Sequence, residues 1–521
     1  MKFFKFLIEP RVLAIALFTI YLIIGLFTFN DYGMSYDQSV DRGTALVNYV
    51  HVMKNFMLES DNRNIREVAE KASELGTYFD RFYGSFLQTA PIAIEHLYKF
   101  ELSTRETFLI RYLFVFLNFW LGGIFFYLIL KKRFTNPFVP LIGALIYILY
   151  PRFFAEAFYN NKDVLFFSWV MIASYFVLCW LDGKKKWAYV FPAALALAIA
   201  TNTRILGMAL LLLACLFSVV QDIRHKRFLQ MILWPLVLAG LTFIFYIIIT
   251  PFVWAHPISN TIETFRHFLQ FKPWNNTHLY LGDMISRDVP WHYLFVWMGA
   301  TIPISYILLF LIGVFVTGWE IIKRKVHIYD LFFLVFIVCT FAGYIGLNIS
   351  MYEGWRHAYI LFCPFLFIAV LAVDRLMLLR FSRLWAPWVM VLCLGYLAIW
   401  NIANHPYQYV YFNSIARPFA EKNFCLDYWE VSHYDLVQYI LENDERDEIK
   451  VDIYKGQHLM LNDADKKRIK RINDNLQGVD YFIQNTRMAP NRRTAPEGFE
   501  EVHAIVVDGI KISRLYKKIE I

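Results

Sequence analysis

Charge is scarce in this chain: Asp, Glu, Lys and Arg supply 18% of its 521 residues, against roughly 25% in soluble domains. Cysteine is scarcer still, six in all, and five of them (Cys179, Cys215, Cys339, Cys363 and Cys393) fall in long apolar runs, leaving Cys425 alone outside. An external disulfide framework within one chain is thereby excluded. The sequence has no CxxC pair, HExxH helix, Walker-type phosphate loop or GxGxxG fingerprint, so transport driven by a nucleotide on this chain is not expected. Internal repeats and low-complexity tracts are absent too.

Apolar residues are what the chain has in excess: 58% of the whole, with a mean hydropathy of +0.42. A water-soluble core does not account for that. The residues gather in eleven runs, at about 12–29, 108–130, 137–150, 164–181, 187–200, 205–220, 228–250, 292–320, 328–349, 358–374 and 385–402. Most have the roughly 18 to 25 residues that a helix needs to cross hydrocarbon. The first follows Lys2, Lys5 and Arg11, yet no small-residue cleavage site comes after Phe29. An uncleaved first span with a cytoplasmic N-terminus is expected.

Basic residues test that topology, because cytoplasmic loops are enriched in Lys and Arg. Every alternate connection passes: Lys131, Lys132 and Arg133; Lys184 to Lys186; Arg224, Lys226 and Arg227; Lys323 to Lys325; and Arg375, Arg380 and Arg383. The same parity puts the tail outside. It also explains the net charge of +8 as topogenic charge, with no nucleic-acid partner implied.

The expected fold class is therefore α, a polytopic membrane bundle of about eleven spans with a small extracytoplasmic α/β domain at the C-terminus. The bundle takes residues 1–404, including an extracytoplasmic loop at 30–107, and the appended domain takes 405–521. Within the loop, residues 65–78 show helical spacing amid charge. Within the domain, 434–441 and 463–472 read as helices, 449–454 and 481–484 as strands. Residues 502–507 and 510–516 flank Asp508-Gly509, a spacing that favours a type I′ hairpin.

Chemistry is sought in the external loops. After the first run comes Asp31-Tyr32-Gly33-Met34-Ser35-Tyr36-Asp37-Gln38-Ser39-Val40-Asp41. If a helix starts at Ser35, Asp37 and Asp41 share a face. Such a carboxylate can act as general base toward a hydroxyl, or as one ligand of a divalent metal. The plainer alternative is that Ser35 and Asp37 cap a helix and Asp41 is solvated. Arg152, Glu156, Lys162 and Asp163 crowd the connection at 151–163, where charge is costly unless paired or employed. Snorkelling and local ion pairs are the alternative there. Arg204, between two short runs, is expected to face an internal cavity. Arg356 and His357 in Tyr352-Glu353-Gly354-Trp355-Arg356-His357 suit a phosphate, since an arginine fork donates two hydrogen bonds at once. A Glu353–Arg356 salt bridge locking the turn is the competing reading.

Asp37, the 151–163 connection, Pro290-Trp291-His292-Tyr293, Thr301-Ile302-Pro303, the 352–357 turn, the 405–413 segment and Leu426-Asp427-Tyr428-Trp429 together resemble the polyprenyl-phosphate-dependent GT-C glycosyltransferases. The protein O-mannosyltransferase and aminoarabinose-transferase branch is the most similar. The resemblance covers most of residues 1–430 and nothing beyond about 435. It implies an inverting transferase working on the external face of a bacterial inner or plasma membrane. A polyprenyl-phosphate sugar would be the donor and a hydroxyl of a protein, lipid or glycan the acceptor. The family's acidic residues map onto Asp37 and Asp163 as catalytic groups, and the loop charges themselves make Asp41, Arg152, Lys162, Arg204, Arg356 and His357 the expected substrate-binding residues. No cofactor is certain, and a divalent metal is compatible. Gln38 departs from the Asp-Glu pair of many members, and Asp427-Tyr428-Trp429 is not the WWDYG motif of oligosaccharyltransferases. A secondary transporter or lipid flippase is the alternative function.

Overall fold

The computed structural model describes residues 9–56, 62–183, 186–269, 277–379, 381–382, 384–453, 455–472, 478–484 and 497–519. Among them, nine helices are long and apolar enough to cross a membrane, and a tenth span is formed if the bent pair Phe138–Ile148 and Pro151–Tyr159 is counted as one. The run at 187–200 becomes a shorter apolar helix inside Lys186–Thr203. The chain is thus a multi-pass membrane protein whose outward faces stay apolar, as Ile15 and Phe27 on Pro10–Thr28 and Leu229 and Leu236 on Phe228–Ile249 show.

Two expectations about the runs change. Residues 292–320 do not form one span: the chain breaks between Tyr293–Thr301 and Ile304–Ile322 because Ile302, preceding Pro303, is held extended (ψ 138°). Residues 151–163 are not a simple connection either. Pro151 forces Tyr150 out of helical geometry (ψ 114°) and then opens a fresh helix, Pro151–Tyr159, bent 64° from the one before.

Small residues let the helices close on one another. A Cβ added to Gly25 would lie 1.9 Å from Phe116, and one added to Gly313 would lie 2.0 Å from the Ile368 carbonyl oxygen. Glycine at such crossings admits a near approach that any side chain forbids.

Alternate connections sort to opposite ends. At one end Lys132 pairs with Asp182 (2.8 Å), Arg133 with Asp330 (2.6 Å) and Arg375 with Glu320 (2.8 Å), while Tyr329 Oη donates to Asp182 (2.8 Å). Four of the five basic connections meet in this network, although Lys2, Lys5, Lys184, Lys185, Arg380 and Arg383 lie outside the described residues. The remaining connections, carrying Asp37, Asp163, Arg204 and Arg356, meet at the other end. We propose that the first end is cytoplasmic. Reporters fused after Lys186 and after Asn475 should then read opposite sides of the membrane, and finding both on one side overturns the orientation.

In the long loop, Arg63–Lys71 is a helix capped by the Asn62 side chain, which accepts the Ile65 N–H (3.2 Å), and a chain of turns follows it. Toward the C-terminus, five strands lie in the order Ile469–Ile472, Ile449–Asp452, Tyr481–Ile483, Ile510–Lys518, Phe499–Val507, the first three parallel and the last two an antiparallel hairpin. Asp508 (φ 50°) and Gly509 (φ 84°) make the expected I′ turn. The expected helix at 463–472 stops at Arg468, since Ile469 to Ile472 pair with the parallel strand at 449–452 instead. Helix His433–Asn443 covers this sheet through Leu436, Val437 and Ile440. Tyr409, Tyr411, Phe412, Phe424 and Trp429, by contrast, pack into the main apolar core of the bundle.

Candidate active site

Helix Gln38–Phe56 begins three residues later than expected, with the Asp37 carbonyl accepting the Asp41 N–H (3.0 Å). Asp37 therefore stands at the helix entrance and Asp41 one turn inside. Ser35 Oγ and Gln38 Nε2 both donate to the Tyr159 carbonyl (3.2 and 2.9 Å). Gln38, the departure from a paired acid, thus fastens the helix to the end of Pro151–Tyr159. Past that end, Asn160 Oδ1 accepts the Asp163 N–H (2.9 Å), turning the chain into Asp163–Leu181.

Four ion pairs result, three of them sharing partners. Arg356 Nη1 lies 2.8 Å from Asp37 Oδ2 and 3.7 Å from Asp163 Oδ2, and Asp163 also pairs with Arg204. Lys162 pairs with Asp41 and lies 4.3 Å above the Tyr83 ring. The Arg356 guanidinium is boxed by Tyr428 (4.3 Å), Trp429 (4.9 Å) and Tyr352 (5.4 Å), and Tyr428 Oη donates to Asp37 Oδ2 (3.3 Å). Removing Asp163, which is fully buried and shared by two guanidiniums, would cost about 3–5 kcal/mol, because charge is stranded without water.

Exposure separates the carboxylates. The Asp37 side chain is 30% exposed, those of Asp163 and Asp41 0% and 1%. Of these three, Asp37 alone is open to an incoming hydroxyl. Asp163 holds two guanidiniums in place.

The competing reading, a Glu353–Arg356 lock, is not what the structure shows, because Arg356 turns to Asp37 and Asp163 instead. His357 stacks edge-on against Tyr352 (4.5 Å), with its carbonyl accepting Tyr344 Oη (2.6 Å). Arg152 donates from Nε to the Tyr411 carbonyl (3.1 Å) and lies over Phe412 (5.1 Å), stitching the bent helix to the segment after the last span. With Arg356, Glu353 and Tyr428 it lines a cavity of about 20 Å³, space for about one water.

Sequence reasoning missed four groups here. Tyr428 and Trp429 were noted only as part of a segment, and their adjacent aromatics were the available signal. Asp80, which accepts from Thr44 Oγ1 (3.4 Å), and Tyr83 came from a loop with no periodicity to mark them. Burial raises the Asp80 carboxyl above its usual range. As for a metal, among the described residues no three His, Cys, Asp or Glu side chains are grouped to hold one, and Asp37 and Asp41 each face a cation.

Burial pushes the Asp41 carboxyl up to about 6, although Lys162 pulls it down. A folded-state value above the unfolded one means that stability from this group is fullest below about pH 4 and is lost as pH rises through 6. Asp41→Asn imitates the protonated form. Its unfolding midpoint should change less between pH 4 and pH 6 than that of the wild type, and an equal pH dependence would contradict the assignment.

No family model and no curated protein matches the chain. Among solved structures it is similar to ArnT from Cupriavidus metallidurans bound to undecaprenyl phosphate, with 12% identity, 96% of this chain and 97% of that one covered, and a TM-score of 0.49. It is also similar to the Archaeoglobus fulgidus oligosaccharyltransferase in the apo form, with 12% identity, 88% and 64% covered, and a TM-score of 0.49. A third is the archaeal oligosaccharyltransferase AglB from the same organism in complex with an inhibitory peptide and a dolichol-phosphate, at 13% identity, 88% and 64% coverage and a TM-score of 0.47. The chain spans 64% of the length of these two.

Proposed function

We propose that this chain is a membrane glycosyltransferase of the polyprenyl-phosphate-dependent GT-C type, which moves a sugar from a lipid-phosphate donor to a hydroxyl on the extracytoplasmic face. The observation that carries the reading is the pairing of one accessible carboxylate, Asp37, with a buried, aromatic-boxed guanidinium, Arg356, at the polar end of an apolar bundle. Arg356, Arg204 and Lys162 supply the positive charge that a departing phosphate needs, in surroundings where charge is not screened by water. The polyprenyl tail remains among the spans, so the reaction needs no nucleotide at the external face.

Mechanistically, Arg356 is shared. In the resting chain it bonds Asp37; a phosphate is the stronger bidentate partner and draws the fork toward itself. Asp37 then takes the proton of the acceptor hydroxyl as that oxygen attacks the anomeric carbon. The sugar–phosphate bond breaks as the new glycosidic bond forms on the opposite side, and the configuration inverts. Protein, lipid and glycan hydroxyls all suit such a base. Membranes bearing the chain, supplied with defined radiolabelled polyprenyl-phosphate sugars, test the proposal: label should pass to an acceptor in membranes containing the protein and not in those lacking it. Movement of intact lipid across vesicles without transfer of sugar would favour a flippase instead.

A further inference from the structure

Asp37 follows a short loop that the sheet domain holds from behind. Gln457, on helix Lys455–Met460 and fully buried, accepts the Met34 N–H at Oε1 (3.2 Å) and donates from Nε2 to the carbonyls of Met34 (2.7 Å) and Glu430 (2.6 Å). A glutamine amide offers one acceptor oxygen and two N–H donors. All are used, and in one orientation only, because a flipped amide would set oxygen against two carbonyls. Tyr36 N–H donates to the Trp429 carbonyl (3.1 Å), and Tyr112 Oη, from span Thr104–Arg133, to the Gly33 carbonyl (2.8 Å). Contact is so close at Gly33 that an added Cβ would lie 2.4 Å from the Val431 carbonyl oxygen.

One side chain therefore ties together the strand of chain leading to Asp37 and the one carrying Tyr428 and Trp429, which touch Asp37 and Arg356. We infer that Gln457 is a positioning residue through which the C-terminal domain sets the placement of Asp37 against Arg356. This rests on the reading of Asp37 as base. It assigns the domain a part in the reaction that its distance in sequence, 423 residues from Met34 to Gln457, conceals. A displacement of about 1 Å at a reacting group can cost 10²-fold in rate. Gln457→Ala takes this partner from the Met34 N–H and carbonyl and removes one of two donors from the Glu430 carbonyl, which keeps the His433 N–H (3.3 Å), and Gln457→Glu turns a carboxylate onto both carbonyls.

The full-length chain in nanodiscs, assayed with a labelled polyprenyl-phosphate sugar, tests this. Gln457→Ala and Gln457→Glu should lower kcat about 10- to 100-fold while the donor concentration for half-saturation changes less than threefold. Acidification, which protonates the introduced carboxyl and restores a donor, should relieve part of the Gln457→Glu loss. In an Asp37→Asn background, Gln457→Ala should cost nothing more, since a residue acting through Asp37 is non-additive with it. His458→Ala, one residue along the same helix and bonded to Ile469 instead, should leave kcat unchanged. A kcat within twofold of wild type for Gln457→Ala, or an equal loss in the Asp37→Asn background, overturns the inference. A second readout needs no turnover: Met34 is fully buried, so a maleimide should label Met34→Cys faster once Gln457→Ala is added. Equal labelling overturns the clamp even if the variants fold poorly. A wild-type chain inactive with every donor would instead overturn the catalytic reading, while the labelling still decides whether Gln457 holds the loop.

Discussion

Asp37→Asn should insert, fold and bind donor like the wild type while transfer falls by about 10² to 10⁴, the usual cost of removing a positioned general base. The amide keeps the shape of the carboxylate and can still accept from Tyr428 and from Arg356. Only the basicity goes. If Asp37 were no more than a helix-entrance residue, the change would cost about 1 kcal/mol of stability and leave catalysis alone, so kcat at equal protein levels separates the two roles. Transfer close to wild type would refute the assignment. Asp163 would be a poor replacement candidate in that event, since it is fully buried between two guanidiniums.

Arg356→Lys should raise the donor concentration for half-saturation about 10- to 100-fold even though the charge is kept. An ammonium cannot offer a phosphate a planar two-pronged fork, nor lie flat against Tyr428 and Trp429. Arg356→Ala should weaken donor binding further and lower stability as well, because Asp37 and Asp163 lose a cation they share. Arg204→Ala should act in the same direction through Asp163. Binding of a labelled polyprenyl phosphate that neither alanine variant weakens would end the phosphate assignment.

How far such a site is legible in sequence depends on the range of the interactions that build it. Spans are local, and among the described residues nine of the eleven apolar runs hold a helix long and apolar enough to cross a membrane, because hydropathy and helical length act over about 20 residues. The run at 292–320 failed through one proline, whose effect on Ile302 is also local and was readable beside the motif that contains it. The Asp508-Gly509 turn was legible for the same reason. Asp37, Asp41, Lys162, Arg204 and Arg356 were picked out as costly charges at a membrane surface, but their partners were not: Arg356 meets Asp37 across 319 residues, and Tyr428 meets it across 391. No period or spacing encodes such pairings. Glu353, three residues from Arg356, looked the natural partner only because proximity in sequence was the sole distance in view.

The ion pairs at the basic end have a history as well as a geometry. Arg133 and Asp330 are 197 residues apart, and at roughly 5 to 20 residues per second of synthesis the arginine waits about 10 to 40 s for its carboxylate. During that interval, under the proposed orientation, it is a bare cation retained on the cytoplasmic side and steering its helix. Afterwards it is a neutralised clip between two finished helices. Arg133→Ala would consequently produce two populations of defect, chains inserted the wrong way round and chains inserted correctly but loosely packed, whereas Asp330→Asn, which acts only after the helix orientation is set, would produce the second alone.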